Sequence, residues 1–278
     1  VKPRPPEIDE WTHYLHDVTN DGVAQDTVVG SPRRLQWDCG PRWLRSHEHT
    51  ASLVAMVAAG GRLFYIFDEG LTSITDKPIP ERWTLTARDA FNGVRLWQRQ
   101  LQDFRGGRWN NTALRGVTAS VRRLLVAEDD RLFLPLGLDE PVSILDAATG
   151  DVLGTCPGTE GATEIRCAAG MLVIHMGRKG IRTFAAHNGA RRWQRPDVPR
   201  AKTLAVHGGN VFYVMGDVAV CRDGRTGQEE WRTPLAEPGT SAPPKARRPP
   251  ELLVVHDDRI VVAKDGMPEK AEGLYKKL

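Results

Sequence analysis

The chain has 278 residues, 40% hydrophobic and 26% charged, proportions that argue against long disorder; at about one and a half typical domain lengths it allows one large domain or two small ones. Its 38 basic and 35 acidic residues leave a formal charge of +3, too even for the clustered basic face of a nucleic-acid binder. No apolar run approaches the ~18–20 residues of a membrane helix and no signal-peptide core opens the chain, while a start at Val1 suggests a processed or truncated N-terminus.

Residues 1–50 read as a lead-in with one outer strand, RRLQW (33–37), that has no inner strands of its own. Half of the eight histidines fall here: His13, His16, His47 and His49. His47 and His49 flank Glu48, so on a strand both imidazoles face one side, with Asp17 and Glu48 as candidate oxygen ligands. The spacing matches no known metal motif. The expectation is therefore no metal, with His47 and His49 kept as candidate binding residues.

From residue 51 an internal repeat takes over. The segments RDAFNGVRLW (88–97), LDAATGDVLG (145–154), FAAHNGARRW (184–193) and RDGRTGQEEW (222–231) align on Gly93, Gly150, Gly189 and Gly227, which lie 57, 39 and 38 residues apart. Four residues after each glycine stands Trp97, Gly154, Trp193 or Trp231; four before stands Asp89, Asp146, Ala185 or Asp223. A second column upstream runs through GGRLFYIF (60–67), DDRLFLPL (129–136), AGMLVIHM (169–176), GGNVFYVM (208–215) and DDRIVVAK (257–264). One repeat, 202–235, parses into four strands, near TLAV, NVFYV, VAVCR and EEWRT, separated by GG, GD and RTG turns. In each D-x-x-[TN]-G turn the aspartate is expected to accept hydrogen bonds from turn amides and the glycine to supply a positive φ. The tryptophan brings a flat surface that a single four-stranded sheet cannot bury, so a neighbouring sheet is required. Four antiparallel strands every ~40 residues predict an all-β fold, a β-propeller of four-stranded blades. The blades read as 51–101, 117–157, 163–197 and 202–235, with a partial one at 252–265 and a tail at 266–278. That count suggests part of a seven- or eight-bladed ring, which RRLQW would close with the strands at 252–264.

Three insertions break the register, at 68–82, 101–116 and 236–251. The second carries Arg105, Arg108 and Trp109, candidate contacts for a ligand on a propeller face, where binding usually resides in loops. The third, with Lys245, Arg247 and Arg248 among prolines, reads as a linker. Of the four cysteines, none shows C-x-x-C spacing. Cys221 and Cys167 fall in small or apolar columns (Cys167 aligns with Ala58, Ala127, Val206 and Val255) and are expected in the core; Cys156 and Cys167 are candidates for a bridge within one blade. His175 falls in a strand column and reads as a packed histidine.

The pattern A/I-x-D-A-x-T/N-G-x-x-x-W over residues 50–265, with the lead-in at 10–37, resembles the tryptophan-docking repeat of the PQQ-like (pyrroloquinoline-quinone, quinoprotein-type) propellers. This family includes the quinoprotein alcohol dehydrogenases and the assembly lipoprotein BamB. The resemblance implies that Asp89, Gly93, Trp97, Asp146, Gly150, Gly189, Trp193, Asp223, Gly227 and Trp231 hold blades together, and it favours the periplasm or cell envelope. No catalytic residue emerges: there is no G-x-S-x-G, no H-E-x-x-H, no phosphate loop, and none of the adjacent cysteine pairs usual in quinoprotein dehydrogenases. The expected function is a non-catalytic binding or scaffold module without cofactor, meeting a protein or small molecule through loops on a propeller face. Two alternatives remain: the propeller domain of a larger enzyme whose catalytic part lies outside this chain, or a fragment of an alcohol dehydrogenase using PQQ with calcium.

Overall fold

A computed structural model describes residues 7–28, 30, 33–40, 52–70, 82–101, 121–137, 139–235, 252–257 and 259–263. Within these, the first sheet is β1 (Leu53–Ala59), β2 (Arg62–Asp68), β3 (Trp83–Asp89) and β4 (Arg95–Gln100). The second is β5 (Val126–Glu128), β6 (Arg131–Pro135), β7 (Val142–Asp146) and β8 (Val152–Cys156). The third is β9 (Glu164–Ala168), β10 (Met171–His175), β11 (Ile181–Ala185) and β12 (Arg191–Arg195). The fourth is β13 (Ala205–His207), β14 (Asn210–Met215), β15 (Val218–Asp223) and β16 (Glu229–Pro234); β17 (Leu252–His256) and β18 (Arg259–Ala263) pair as a fifth. Every sheet is an antiparallel meander in chain order. The first strands touch in the sequence β1, β5, β9, β13, β17, so the sheets stand side by side as propeller blades.

Burial explains why the strands read as apolar runs rather than alternating ones. The second, third and fourth sheets pack on both faces, so β14 (NVFYVM) buries four consecutive residues, whereas the outer β16 (EEWRTP) buries none. Leu132 and Leu134 of β6 join a core shared with Phe64, Ile66 and Leu85 of the first sheet. Phe133 between them points the other way, into a core with Leu172, Ile174 and Phe184 of the third.

The repeated turns share one construction. The amides of Gly93, Gly150, Gly189 and Gly227 donate to the carbonyls of Asp89, Asp146, Ala185 and Asp223 at 2.8–2.9 Å, and all four glycines have φ between 71° and 78°. Where the first residue is aspartate, its Oδ1 also accepts turn amides: Phe91 and Asn92 on Asp89, Ala148 and Thr149 on Asp146, Thr226 on Asp223. The amides of Thr149 and Ala148 hold the Asp146 carboxyl below the usual carboxylate range.

These glycines need to be bare because of what lies on them. A Cβ on Gly150 would sit 2.8 Å from the Trp97 ring, and one on Gly227 would sit 2.6 Å from Trp193. Each indole Nε1 donates to a carbonyl of the same turn, Trp97 to Ala147 at 3.0 Å and Trp193 to Gly224 at 2.8 Å. Arginines two residues on add a bond to the glycine carbonyl, Arg99 to Gly150 and Arg195 to Gly227. Between the second and third sheets, Gly154 replaces the tryptophan and the turn closes onto backbone: a Cβ on Gly189 would lie 2.4 Å from the Thr155 carbonyl. Trp231 is 38% exposed and tilts on Phe212 of its own sheet; among the described residues no turn glycine lies under it.

Residues 33–37 form no strand, contrary to the sequence reading. No inner strand among the described residues offers them a ladder, and side chains tie them to the first sheet instead. Trp37 covers Gly93 and donates to Ala90 O at 3.0 Å, and Gln36 donates to Phe91 O. Trp37 thus makes the same contact as Trp97 and Trp193.

Candidate functional site

The lead-in runs along the edge of the first strands. The carbonyl of Trp11 accepts from Ala58 N at 2.7 Å, Thr12 from Ala127 N at 3.0 Å, Val18 from Val206 N at 3.1 Å and Thr19 from Val255 N at 3.0 Å. In the third sheet a side chain takes over, with His13 Nε2 accepting from Cys167 N at 3.1 Å. The five donors occupy one column of the repeat, so a single segment satisfies the equivalent inner-edge amide of all five sheets.

Beside it lies a buried polar cluster. Asn20, at φ 68°, donates from Nδ2 to Leu204 O and Leu253 O at 3.0 and 2.9 Å, bridging the fourth and fifth sheets. Its Oδ1 accepts from Arg166 Nη2 at 2.5 Å, and the same nitrogen donates to Glu164 Oε1 at 2.6 Å. Arg166 and Glu164 are 2% and 1% exposed, a desolvated ion pair, with Arg166 Nε donating further to Leu204 O. Arg122 lies 4.0 Å over the Tyr14 ring. Among the described residues, four buried side-chain atoms have no hydrogen-bond partner: Arg122 Nε, Arg123 Nε, Glu164 Oε2 and His175 Nε2. His175 pairs across strands with Glu164, and Arg123 O accepts from the neighbouring Ile165 N. Burial pushes the Arg123 guanidinium down, with Glu164 opposing.

The two lead-in histidines are shifted in opposite directions. His13 must keep Nε2 unprotonated to accept from Cys167, so Nδ1–H donates to Thr12 Oγ1 at 2.7 Å. Burial, then the charges of Arg166 and His16, hold its pKa well below 6.5. His16 presents Nε2 to Asp9 at 2.6 Å and Nδ1 to Asp21 at 3.1 Å. Burial opposes its charge, but the bond and charge of Asp9, with Asp21 and Asp17, outweigh it and raise the pKa. Below that raised pKa both nitrogens donate and the ring is an imidazolium between carboxylates; His16, Asp17 and Asp21 also have donor atoms within 4.8 Å of one another. His16 therefore stabilises the fold fully below pH ~6.5 and loses that contribution as pH rises through its raised pKa. His13 acts in the opposite sense, since below ~6.5 the unfolded chain takes a proton that the folded one refuses. Histidine-ring NMR should show His16 titrating above 6.5 and His13 neutral well below it. A His13 ring that protonates at or above 6.5 would refute this assignment.

On the hairpin side a cleft of about 470 Å³ opens between the third and fourth sheets. Val18, Met171 and Val206 line it, Asp17 stands at its lead-in end, and Arg192 and Arg225 at its outer end.

The sequence-derived candidates His47, His49, Arg105, Arg108 and Trp109 lie outside the described residues. The cysteines are all free, Cys156, Cys167 and Cys221 buried and Cys39 exposed, so the candidate bridge between Cys156 and Cys167 is not formed. The Cys167 thiol donates instead to Glu128 Oε2 at 2.8 Å, and burial with that carboxylate pushes its pKa well up. His175 is buried in β10, as its strand column suggests. Trp37, Asn20 and Arg166 were not among the sequence candidates. Only Trp37 had a legible signal, an aromatic closing a short run ahead of the first blade. No helix among the described residues is long and apolar enough to cross a membrane.

Residues 177–272 match the family described as outer membrane protein assembly factor BamB. No curated protein matches the chain. Among solved structures, the europium-containing methanol dehydrogenase aligns at 15% identity over 82% of this chain and 50% of its own, with a TM-score of 0.46. BamB from Moraxella catarrhalis aligns at 15% over 76% and 68%, with a TM-score of 0.43, and the computationally designed Ika8 protein at 13% over 69% and 48%, with a TM-score of 0.38. The chain spans half the length of the methanol dehydrogenase and 48% of Ika8. Residues 177–272 thus carry the family's PQQ-like propeller repeat, in a chain of four-stranded antiparallel blades.

Proposed function

We propose that this chain is a non-catalytic propeller module that binds a protein or small molecule on one face, in the periplasm or cell envelope. The observation that carries the reading is how the lead-in is used. Its carbonyls and His13 are committed to the inner-edge amides of five sheets, while the repeat tryptophans Trp97 and Trp193 hold neighbouring sheets together. The chemistry-bearing side chains of the repeat thus have packing roles, and a cleft of ligand size stays open on the hairpin face.

A calcium-dependent quinone cofactor does not fit the polar cluster. Calcium takes six to eight oxygen ligands. The buried carboxylate there, Glu164, gives one oxygen to Arg166, and its neighbours Arg122, Arg123 and His175 bring nitrogens and positive charge. Purified chain mixed with PQQ and calcium is expected to show no change in cofactor absorbance and no alcohol-dependent dye reduction. Calcium-dependent turnover would overturn the non-catalytic reading.

A further inference from the structure

We infer that the cleft between the third and fourth sheets takes a short extended peptide segment of a partner protein, an apolar side chain followed by acidic ones; this rests on the binding-module reading above. The cleft falls in the ~300–1,000 Å³ range of ligand sites. Its floor is apolar, through Val18, Met171 and Val206, and its outer end is cationic. There the exposed Arg192 makes one side-chain hydrogen bond, from Nη2 to Gly170 O at 3.3 Å, and the exposed Arg225 makes none among the described residues. The nearby carboxylates are already engaged. Asp223 Oδ1 accepts from the Thr226 amide and hydroxyl, and Asp17 Oδ1 from the Thr19 amide and hydroxyl, while Asp17 Oδ2 stands 4.0 Å from His16. The charge of Arg225 helps hold the Asp223 carboxyl down, but neither guanidinium makes an ion pair within 4.0 Å among the described residues, and both are exposed to charge from outside.

The walls favour a polypeptide. The lining residues Gly208 and Gly209 have positive φ, and a Cβ on either would meet nothing within 4 Å, so this hairpin tip is bare backbone beside open space, with His207 and the methyl of Ala169 as its neighbours on the wall. A second chain can approach the backbone of these two glycines closely. A nucleic acid would need a run of cations along a face rather than two at the end of an apolar trough.

The test is fluorescence polarisation with the labelled pentapeptide Gly-Leu-Asp-Glu-Gly. Gly-Leu-Asn-Gln-Gly and Gly-Ser-Asp-Glu-Gly serve as controls for charge and for the apolar anchor, and each is expected to bind about tenfold more weakly. The Arg192→Glu/Arg225→Glu double variant should lose the acidic probe by about tenfold and gain Gly-Leu-Lys-Arg-Gly, with unchanged melting confirming its fold. An acidic probe bound no better than its amide counterpart, or binding indifferent to charge reversal, overturns the peptide site. Those results leave the non-catalytic reading standing, because that reading is judged by the cofactor and alcohol assay.

Discussion

Arg166→Met is expected to destabilise the protein by about 3–5 kcal/mol, the range for removing one partner of a buried ion pair. Arg166 neutralises Glu164 and also donates to Asn20 Oδ1 and Leu204 O. Without it the Glu164 carboxylate stays 1% exposed with both oxygens unpaired among the described residues, since Oε2 already lacks a hydrogen-bond partner there. Asn20 meanwhile loses the donor that fixes its amide, and this amide ties the lead-in to the fourth and fifth sheets. Urea denaturation should report the loss of stability. Hydrogen exchange should show the amides of Ala58, Ala127, Val206 and Val255, protected by the lead-in, opening first. Adding Glu164→Gln to Arg166→Met should recover a substantial part, because the buried charge is then gone. A single variant that unfolds with the parent would show that the pair carries no weight in the fold.

The contrast between this cluster and the blades explains what could be read from the sequence. The blade turns are local: Asp146, Gly150 and their amides lie within five residues, and the glycine is required by its own φ and by the ring above it. Such chemistry leaves a fixed spacing, so blades, turns and the strands of 202–235 were legible. The lead-in bonds through backbone carbonyls, which every residue has, and Asn20 reaches Leu204 across 184 positions. Nothing in the spelling of residues 11–20 marks those partners. Arg166 was hidden for a related reason: Glu164, two residues before it in the same strand, takes its charge, but its other acceptors, Asn20 and Leu204, come from distant segments. Trp231 shows the converse limit. It has the motif of Trp193, yet docking depends on a neighbour that the motif does not encode, and the two rings differ in exposure, 38% against 7%.

That difference sets the second large effect. Trp193→Ala should cost about 3–5 kcal/mol, as for a buried tryptophan, because the ring is enclosed between the third and fourth sheets and its Nε1 satisfies Gly224 O. Trp231→Ala should cost no more than about 1 kcal/mol, near the range of exposed substitutions. Gly227→Val should also be severe, since a β-branched residue at φ 72° is strained and its Cβ would fall 2.6 Å from the Trp193 ring. The two sites share one contact, so Trp193→Ala combined with Gly227→Val should cost less than the sum of the single changes, removal of the ring having made room for the new side chain. Additive costs would mean that Gly227 matters through its backbone alone. Equal losses at Trp193 and Trp231 would mean that exposure does not separate a docked ring from an undocked one in this fold.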